Sequence, residues 1–244
     1  MKKILFIIAV TLFTFNASAQ NKTTEKTGAK SFIGITGGLS LPGGNYTKDD
    51  YYNDKSGFAK SGFNVGITGA WYFKKSHWGV GGVLSYTHYG FKNAQALANG
   101  YKEAFDLDST TVYIKGSNQS VNILVGPYYN IGFGKFNLDL RLLGGVVNAT
   151  LPGNEVYLED GIDNHLTQKK STATTFGWQS GAALRYAVTS HIGILLGVDY
   201  YYSKPNFTIE NENRPVNAGR KIASYKEAIS GLQANVGVVY SFGK

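Results

Sequence analysis

The chain has 244 residues, with 31 glycines, 17 tyrosines and 14 phenylalanines against 5 prolines, 1 methionine and no cysteine. That balance favours strands over helices, and the absent cysteine excludes a disulfide framework, a thiolate metal centre and a lipid-modified N-terminal cysteine. The formal net charge of +8 invites a polyanion, but the charges of the long loops assigned below cancel. The surplus sits at Lys74, Lys75, Lys135, Lys244 and the N-terminal segment, where lysines beside lipid headgroups account for it without nucleic acid.

Residues 1–19 read as a secretory signal peptide: Lys2 and Lys3, an apolar stretch from Ile4 to Phe15, then the small residues Ala17, Ser18 and Ala19. The apolar stretch is shorter than the ~20 residues a membrane-spanning helix needs, so cleavage before Gln20 is expected. Residues 20–30 are a short periplasmic N-terminal segment and 31–244 a single outer-membrane domain.

Period-2 alternation then recurs eight times, at 31–41, 62–73, 78–90, 120–131, 135–148, 174–187, 191–203 and 230–242. In the second strand Phe63, Val65, Ile67, Trp71 and Phe73 oppose Asn64, Thr68 and Tyr72. In the fifth, Phe136, Leu138, Leu140 and Leu142 oppose Asn137, Asp139 and Arg141. Such strands exceed the ~5–6 residues usual in globular sheets and cover the ~9–11 that cross a bilayer at a tilt. Short turns at 74–77, 132–134 and 189–190 alternate with long loops at 42–61, 91–118, 149–173 and 204–228. The pattern predicts an all-β, eight-stranded antiparallel up-and-down transmembrane barrel. Three short turns and both termini would be periplasmic, and four long loops extracellular.

A soluble eight-stranded barrel would turn its apolar face inward. Here the polar face carries glycines such as Gly66, Gly81, Gly126, Gly145, Gly181 and Gly197, which make room in a narrow lumen. The apolar face carries an aromatic girdle at each end. Trp71, Phe73, Trp78, Phe136, Tyr186, Tyr240 and Phe242 gather toward the turns; Phe176, Trp178, Tyr200 and Tyr202 gather toward the loops.

The last strand ends Gly237-x-x-Tyr240-x-Phe242, which resembles the C-terminal assembly signal of outer-membrane barrels. With the Lys-Lys leader ending Ala-Ser-Ala-Gln and the opening strand Ile33-Gly34-Ile35-x-Gly37-Gly38, the chain resembles the PorT-like outer membrane protein beta-barrel domain family of the Bacteroidota. The resemblance implies residence in the bacterial outer membrane, contact with its lipid, and insertion by the barrel-assembly machinery. The family's name-giving member is associated with a system that exports proteins through the outer membrane, but most members have no assigned biochemistry and no motif here ties this chain to secretion. The resemblance implies no catalytic chemistry.

The residues agree on that last point. His77, His88, His165 and His191 have no metal-ligand spacing. A lipid-modifying enzyme has one candidate, His88 with Ser85 and Thr87, and alternation sets His88 on the opposite face from both. Glu159, Asp160 and Asp163 lack the glycine and spacing of a calcium loop. No catalytic, cofactor-binding or metal residue is expected, and the chain is read as a monomeric non-enzyme.

The inward charges Asp139, Arg141, Arg185 and Asp199 are expected to form an ion-pair network that plugs the turn-side half of the lumen. Asn64, Asn122, Gln179, Gln233 and Asn235 would add hydrogen bonds. The alternative is a charged constriction in a narrow pore for ions or small solutes. Function is assigned to the long loops, with Tyr46, Tyr51, Tyr52, Tyr101, Phe105, Tyr157, Phe207, Arg214, Arg220 and Tyr225. They would bind an envelope or surface protein or glycan, or make the barrel an accessory to an envelope or secretion assembly.

Overall fold

The computed structural model describes residues 29–159, 165–214 and 221–243. The signal peptide, most of the 20–30 segment, Asp160, Asp163 and Arg220 lie outside the described residues.

Eight long strands close into a barrel. They are β1 (Ser31–Pro42), β2 (Ala59–Tyr72), β3 (Trp78–Phe91), β5 (Asn118–Phe133), β6 (Phe136–Leu151), β9 (Ser171–Ala187), β10 (Ile192–Ser203) and β13 (Ile229–Phe242). Each pairs antiparallel with its neighbours, and β13 pairs with β1 from Ser31 opposite Phe242 to Pro42 opposite Gly231. Closure matters because hydrocarbon offers no partner for the backbone groups of a free edge.

The two faces follow the alternation. Outward side chains are apolar and exposed, with Ile35 at 71%, Val125 at 62% and Val238 at 62%. An apolar surface running around a whole barrel is made for lipid. Aromatic pairs mark its ends: Trp71 with Phe242 at 6.1 Å and Phe136 with Tyr186 at 5.0 Å toward the turns, Trp178 with Tyr200 at 5.5 Å toward the loops. Inside, Phe32, Leu124, Tyr128, Leu143 and Leu195 are buried. Gly81 makes space for one of them, since a Cβ there would lie 2.7 Å from the Tyr128 ring.

The long connections hold more structure than their sequence suggests. The second contains α1 (Ala94–Ala104) and β4 (Thr110–Lys115), the third β7 (Gly153–Leu158) and β8 (His165–Gln168), and the fourth β11 (Asn206–Arg214) and β12 (Lys221–Lys226). These strands make a five-stranded antiparallel sheet in the order β12-β11-β8-β7-β4. It is tied to the barrel where Ser171 Oγ donates to the Thr208 carbonyl at 2.7 Å.

The helix forms on the run Ala94-Gln95-Ala96-Leu97-Ala98, all strong helix formers. Asn93 caps it, its side chain accepting from the Ala96 N–H at 3.1 Å. The first loop locks onto this helix at Gly100, where a Cβ would stand 2.1 Å from the Tyr51 ring. Gly100→Leu is therefore expected to expel Tyr51 at a local cost of about 1–3 kcal/mol. Protease cleavage within residues 44–58 should accelerate about tenfold, while the barrel itself stays resistant. Unchanged cleavage would show that Tyr51 does not hold this loop down.

Candidate functional site

Two places gather polar chemistry: the lumen near the turns, and a vestibule where the loop-built sheet meets the barrel mouth.

In the lumen Arg185 reaches Asp139 twice, Nε donating to Oδ2 and Nη2 to Oδ1 at 3.1 Å. The same carboxylate accepts from Tyr72 Oη at 2.6 Å and Asn130 Nδ2 at 2.6 Å. The Arg185 guanidinium lies over the Phe32 ring at 4.0 Å. Arg141 makes a second fork, Nε to Asp199 Oδ1 at 2.7 Å and Nη2 to Oδ2 at 2.5 Å, with Nη1 donating to Thr68 at 3.3 Å. Asp139 and Asp199 are wholly buried, Arg185 is 3% exposed and Arg141 7%.

Asp139 and Arg141 are therefore not partners of one another, although both face inward from β6. Each turns sideways to a different strand. Opposite charges buried this deeply must pair, since an unpaired ion costs several kcal/mol of desolvation. Gly181 makes the second pair possible. Arg141 stands opposite Gly181 in one direction and Asp199 stands opposite it in the other, so the salt bridge crosses β9 over a residue without a side chain.

Nearer the loops the lumen is filled by neutral hydrogen-bonding groups. Asn122 Nδ2 donates to Ser85 at 3.1 Å, Gln233 to Thr87 at 3.2 Å and Asn64 to Ser40 at 3.1 Å. Gln179 is buried among them, and Asn235 donates to Asp199 at 3.4 Å. Above, Tyr89 and Tyr201 are each 1% exposed, and Tyr46 packs edge-on against Tyr89 at 5.4 Å.

The vestibule is a cavity of about 380 Å³. Phe58, Phe91 and Leu151 line it from the barrel rim, Leu97 and Tyr101 from α1, and Ile114, Ile209 and Tyr225 from the sheet. Besides the two tyrosines, six polar residues interrupt these apolar walls: Ser56, Asn118, Asn154, Gln168, Ser224 and Glu227. Glu227 is 1% exposed and accepts a hydrogen bond from Tyr225 Oη. Burial pushes its carboxyl up to about 7, against the hydroxyl bond that favours the ionised form. Burial and that carboxylate together raise the Tyr225 phenol well above its ordinary range, so it remains a donor. Asn118 is also 1% exposed, and among the described residues neither atom of its amide has a hydrogen-bond partner, nor does the Ser56 hydroxyl. On the far side of Tyr225 and Glu227 lies a second cavity of about 610 Å³, lined by Asp54, Lys55, Lys204 and Lys226.

Of the aromatic loop residues singled out in the sequence, Tyr101 and Tyr225 line the vestibule, while Tyr46 and Phe207 are buried. Tyr52 and Phe105 are exposed, and Tyr157 stacks on His165 at 5.2 Å. The Arg214 side chain lies outside the described residues. His88 stacks on Phe63 at 5.1 Å and shares a hydrogen bond with Ser117, while Ser85 and Thr87 face the lumen. Among the described residues no group of three or more His, Asp or Glu is placed to hold a metal ion. At the C-terminus Tyr240 points outward, and Phe242 meets Trp71. Gly237 lies against β1, where a Cβ would come 2.4 Å from the Ile35 carbonyl.

Sequence reasoning missed Glu227, Asn118 and Ser56. The local signal for Glu227 is an acidic residue two positions before the long strand β13.

No protein-family profile matches the chain, and no curated protein matches it. Among solved structures it is similar to the attachment invasion locus protein Ail of Yersinia pestis, at 16% identity over 88% of this chain and 100% of that one, TM-score 0.44. It is similar to the outer membrane protein OprG of Pseudomonas aeruginosa, at 14% identity over 90% and 99%, TM-score 0.42. It is also similar to the outer membrane protease OmpT of Escherichia coli, at 11% identity over 92% and 100%, TM-score 0.47.

Proposed function

We propose that the chain is a non-enzymatic barrel of the bacterial outer membrane whose lumen is closed and whose work is binding at the loop end. One contrast carries this reading. The lumen is occupied by two bidentate ion pairs that are 0–7% exposed, whereas the opposite end builds a sheet and helix around an open cavity of about 380 Å³. An eight-stranded barrel has an interior that side chains alone can fill, and a cavity of this size suits a ligand site.

In this reading the signal peptide 1–19 is removed. The barrel-assembly machinery reads Gly237, Tyr240 and Phe242, and the protein sits as a monomer with turns and termini in the periplasm. The exposed lysines 74, 75 and 135 lie at the turn end, where they can meet headgroups. The likeness of leader and terminal strands to PorT-like barrels supports an accessory role in an envelope or secretion assembly, with the loop sheet as the contact face for a protein or glycan.

Liposomes carrying the purified barrel should take up a pentose no faster than empty liposomes. Rapid swelling would favour the narrow pore instead.

A further inference from the structure

Glu227 is a buried carboxyl whose described partner is a tyrosine hydroxyl, and it forms no ion pair among the described residues. It stands in the wall of a cavity that no lysine or arginine among the described residues lines; Lys55, Lys204 and Lys226 line only the outer cavity that Glu227 also borders. A buried carboxylate gains most from a cation that is desolvated together with it, and most of the wall around it is hydrocarbon, from Phe58, Phe91, Leu97, Ile114, Leu151 and Ile209. We propose that the vestibule binds a small apolar primary amine, its ammonium on Glu227 and its hydrocarbon body against Phe58, Leu97, Ile114 and Leu151.

The geometry favours an amine over the obvious alternatives. A ligand carboxylate would face Glu227 as a like charge, and a neutral alcohol would leave the buried carboxyl without a counter-ion. The rings of Phe91 and Tyr101 line the same cavity and suit a cation beside them. Asn118 and Ser56, whose polar atoms have no hydrogen-bond partner among the described residues, offer donors and acceptors to a further polar substituent.

The pH dependence follows from the groups around Glu227. Tyr225 of β12 donates to it and Tyr46 faces it from the turn after β1, both phenols held neutral by burial. Asp54, Lys55, Lys204 and Lys226 face it only across the outer cavity. With a free-state carboxyl near 7, only about a tenth of the protein is ionised at pH 6 and about nine-tenths at pH 8. Amine affinity should therefore rise about tenfold between those values.

The proposal rests on reading the loop end as the binding face. It is tested with the full barrel in lipid nanodiscs, by fluorine NMR titration of para-fluorophenethylamine, para-fluorophenethyl alcohol and para-fluorophenylpropionate, with empty nanodiscs as the blank. The amine should bind about tenfold or more tightly than the alcohol, and the propionate most weakly. Glu227→Gln should abolish the difference between amine and alcohol, and Leu97→Trp, which fills the cavity, should abolish binding of all three probes. Equal binding of amine and alcohol, amine binding unchanged in Glu227→Gln, tightest binding of the propionate, or no amine binding by the folded wild type would each overturn the proposal. Pentose uptake by liposomes is independent of these titrations. A leaking barrel that still binds amine would refute the closed lumen alone, and a tight barrel that ignores amine would refute the ligand alone.

Discussion

Arg141→Leu is expected to destabilise the barrel by about 3–5 kcal/mol, enough to convert most of the protein to the unfolded band on a semi-native gel. The substitution strands Asp199, which has no exposed surface and takes both of its strong bonds from Arg141. Asn235 reaches the same carboxylate at 3.4 Å but cannot replace a guanidinium. Arg141→Lys should recover only part of the loss, because a single ammonium cannot serve both carboxylate oxygens in the fork geometry. Removing both partners, as in Arg141→Leu with Asp199→Leu, should recover most of it, since no buried ion is then left over. Urea unfolding in lipid vesicles, followed by tryptophan fluorescence, measures all three variants. If the single variant were as stable as wild type, the pair would have to be hydrated, and the lumen would not be closed there.

Gly181→Val should have an effect of similar size by a different route. A Cβ at this position would lie 2.1 Å from Asp199 Oδ1 and 2.4 Å from the Val198 carbonyl oxygen. The carboxylate cannot swing away without breaking its fork with Arg141, and the backbone oxygen is fixed by the barrel wall. The substitution therefore either displaces β9 from β10 or breaks the ion pair, and refolding yield into detergent should fall at least several-fold. Gly37→Ala is the matched control. It is also a strand glycine, but its new methyl would find its nearest neighbours at 3.7 and 3.8 Å, which is ordinary contact. Equal refolding of the two variants would show that the row Arg141, Gly181, Asp199 is not the constraint described here.

The barrel was legible in the sequence because one rule governs every spanning strand. Lipid outside and a narrow lumen inside impose alternation over ten residues or more, and β2 at Ala59–Tyr72 begins only three residues before the alternating run at 62. That Asp139, Arg141, Arg185 and Asp199 face inward followed from the same rule. Their partners did not. Pairing depends on lateral register, which sets Asp139 opposite Ala183 and Arg141 opposite Gly181, so each charge must reach diagonally or across a whole strand.

The loop sheet was illegible for the opposite reason. β4 has 6 residues and β8 has 4, their residues are mixed polar and apolar, and no lipid imposes a pattern on them. The helix left a better trace in Ala94-Gln95-Ala96-Leu97-Ala98 after a capping Asn93, but the run is short and lies between two long alternating strands. The acidic residue ahead of β13 was too weak a signal to place Glu227. Its cavity is assembled from segments of all four long connections, and its significance is that the walls they bring around it are mostly apolar.

Single-channel recording in planar bilayers tests the closed lumen most directly. The wild-type barrel should show no steady conductance at neutral pH in potassium chloride, and the Arg141→Leu, Asp199→Leu double variant should stay silent as well, its place taken by packed leucines. A steady, charge-selective current through the wild type, altered by substitution at Asp139 or Arg141, would contradict the account and make the buried pairs the filter of a pore.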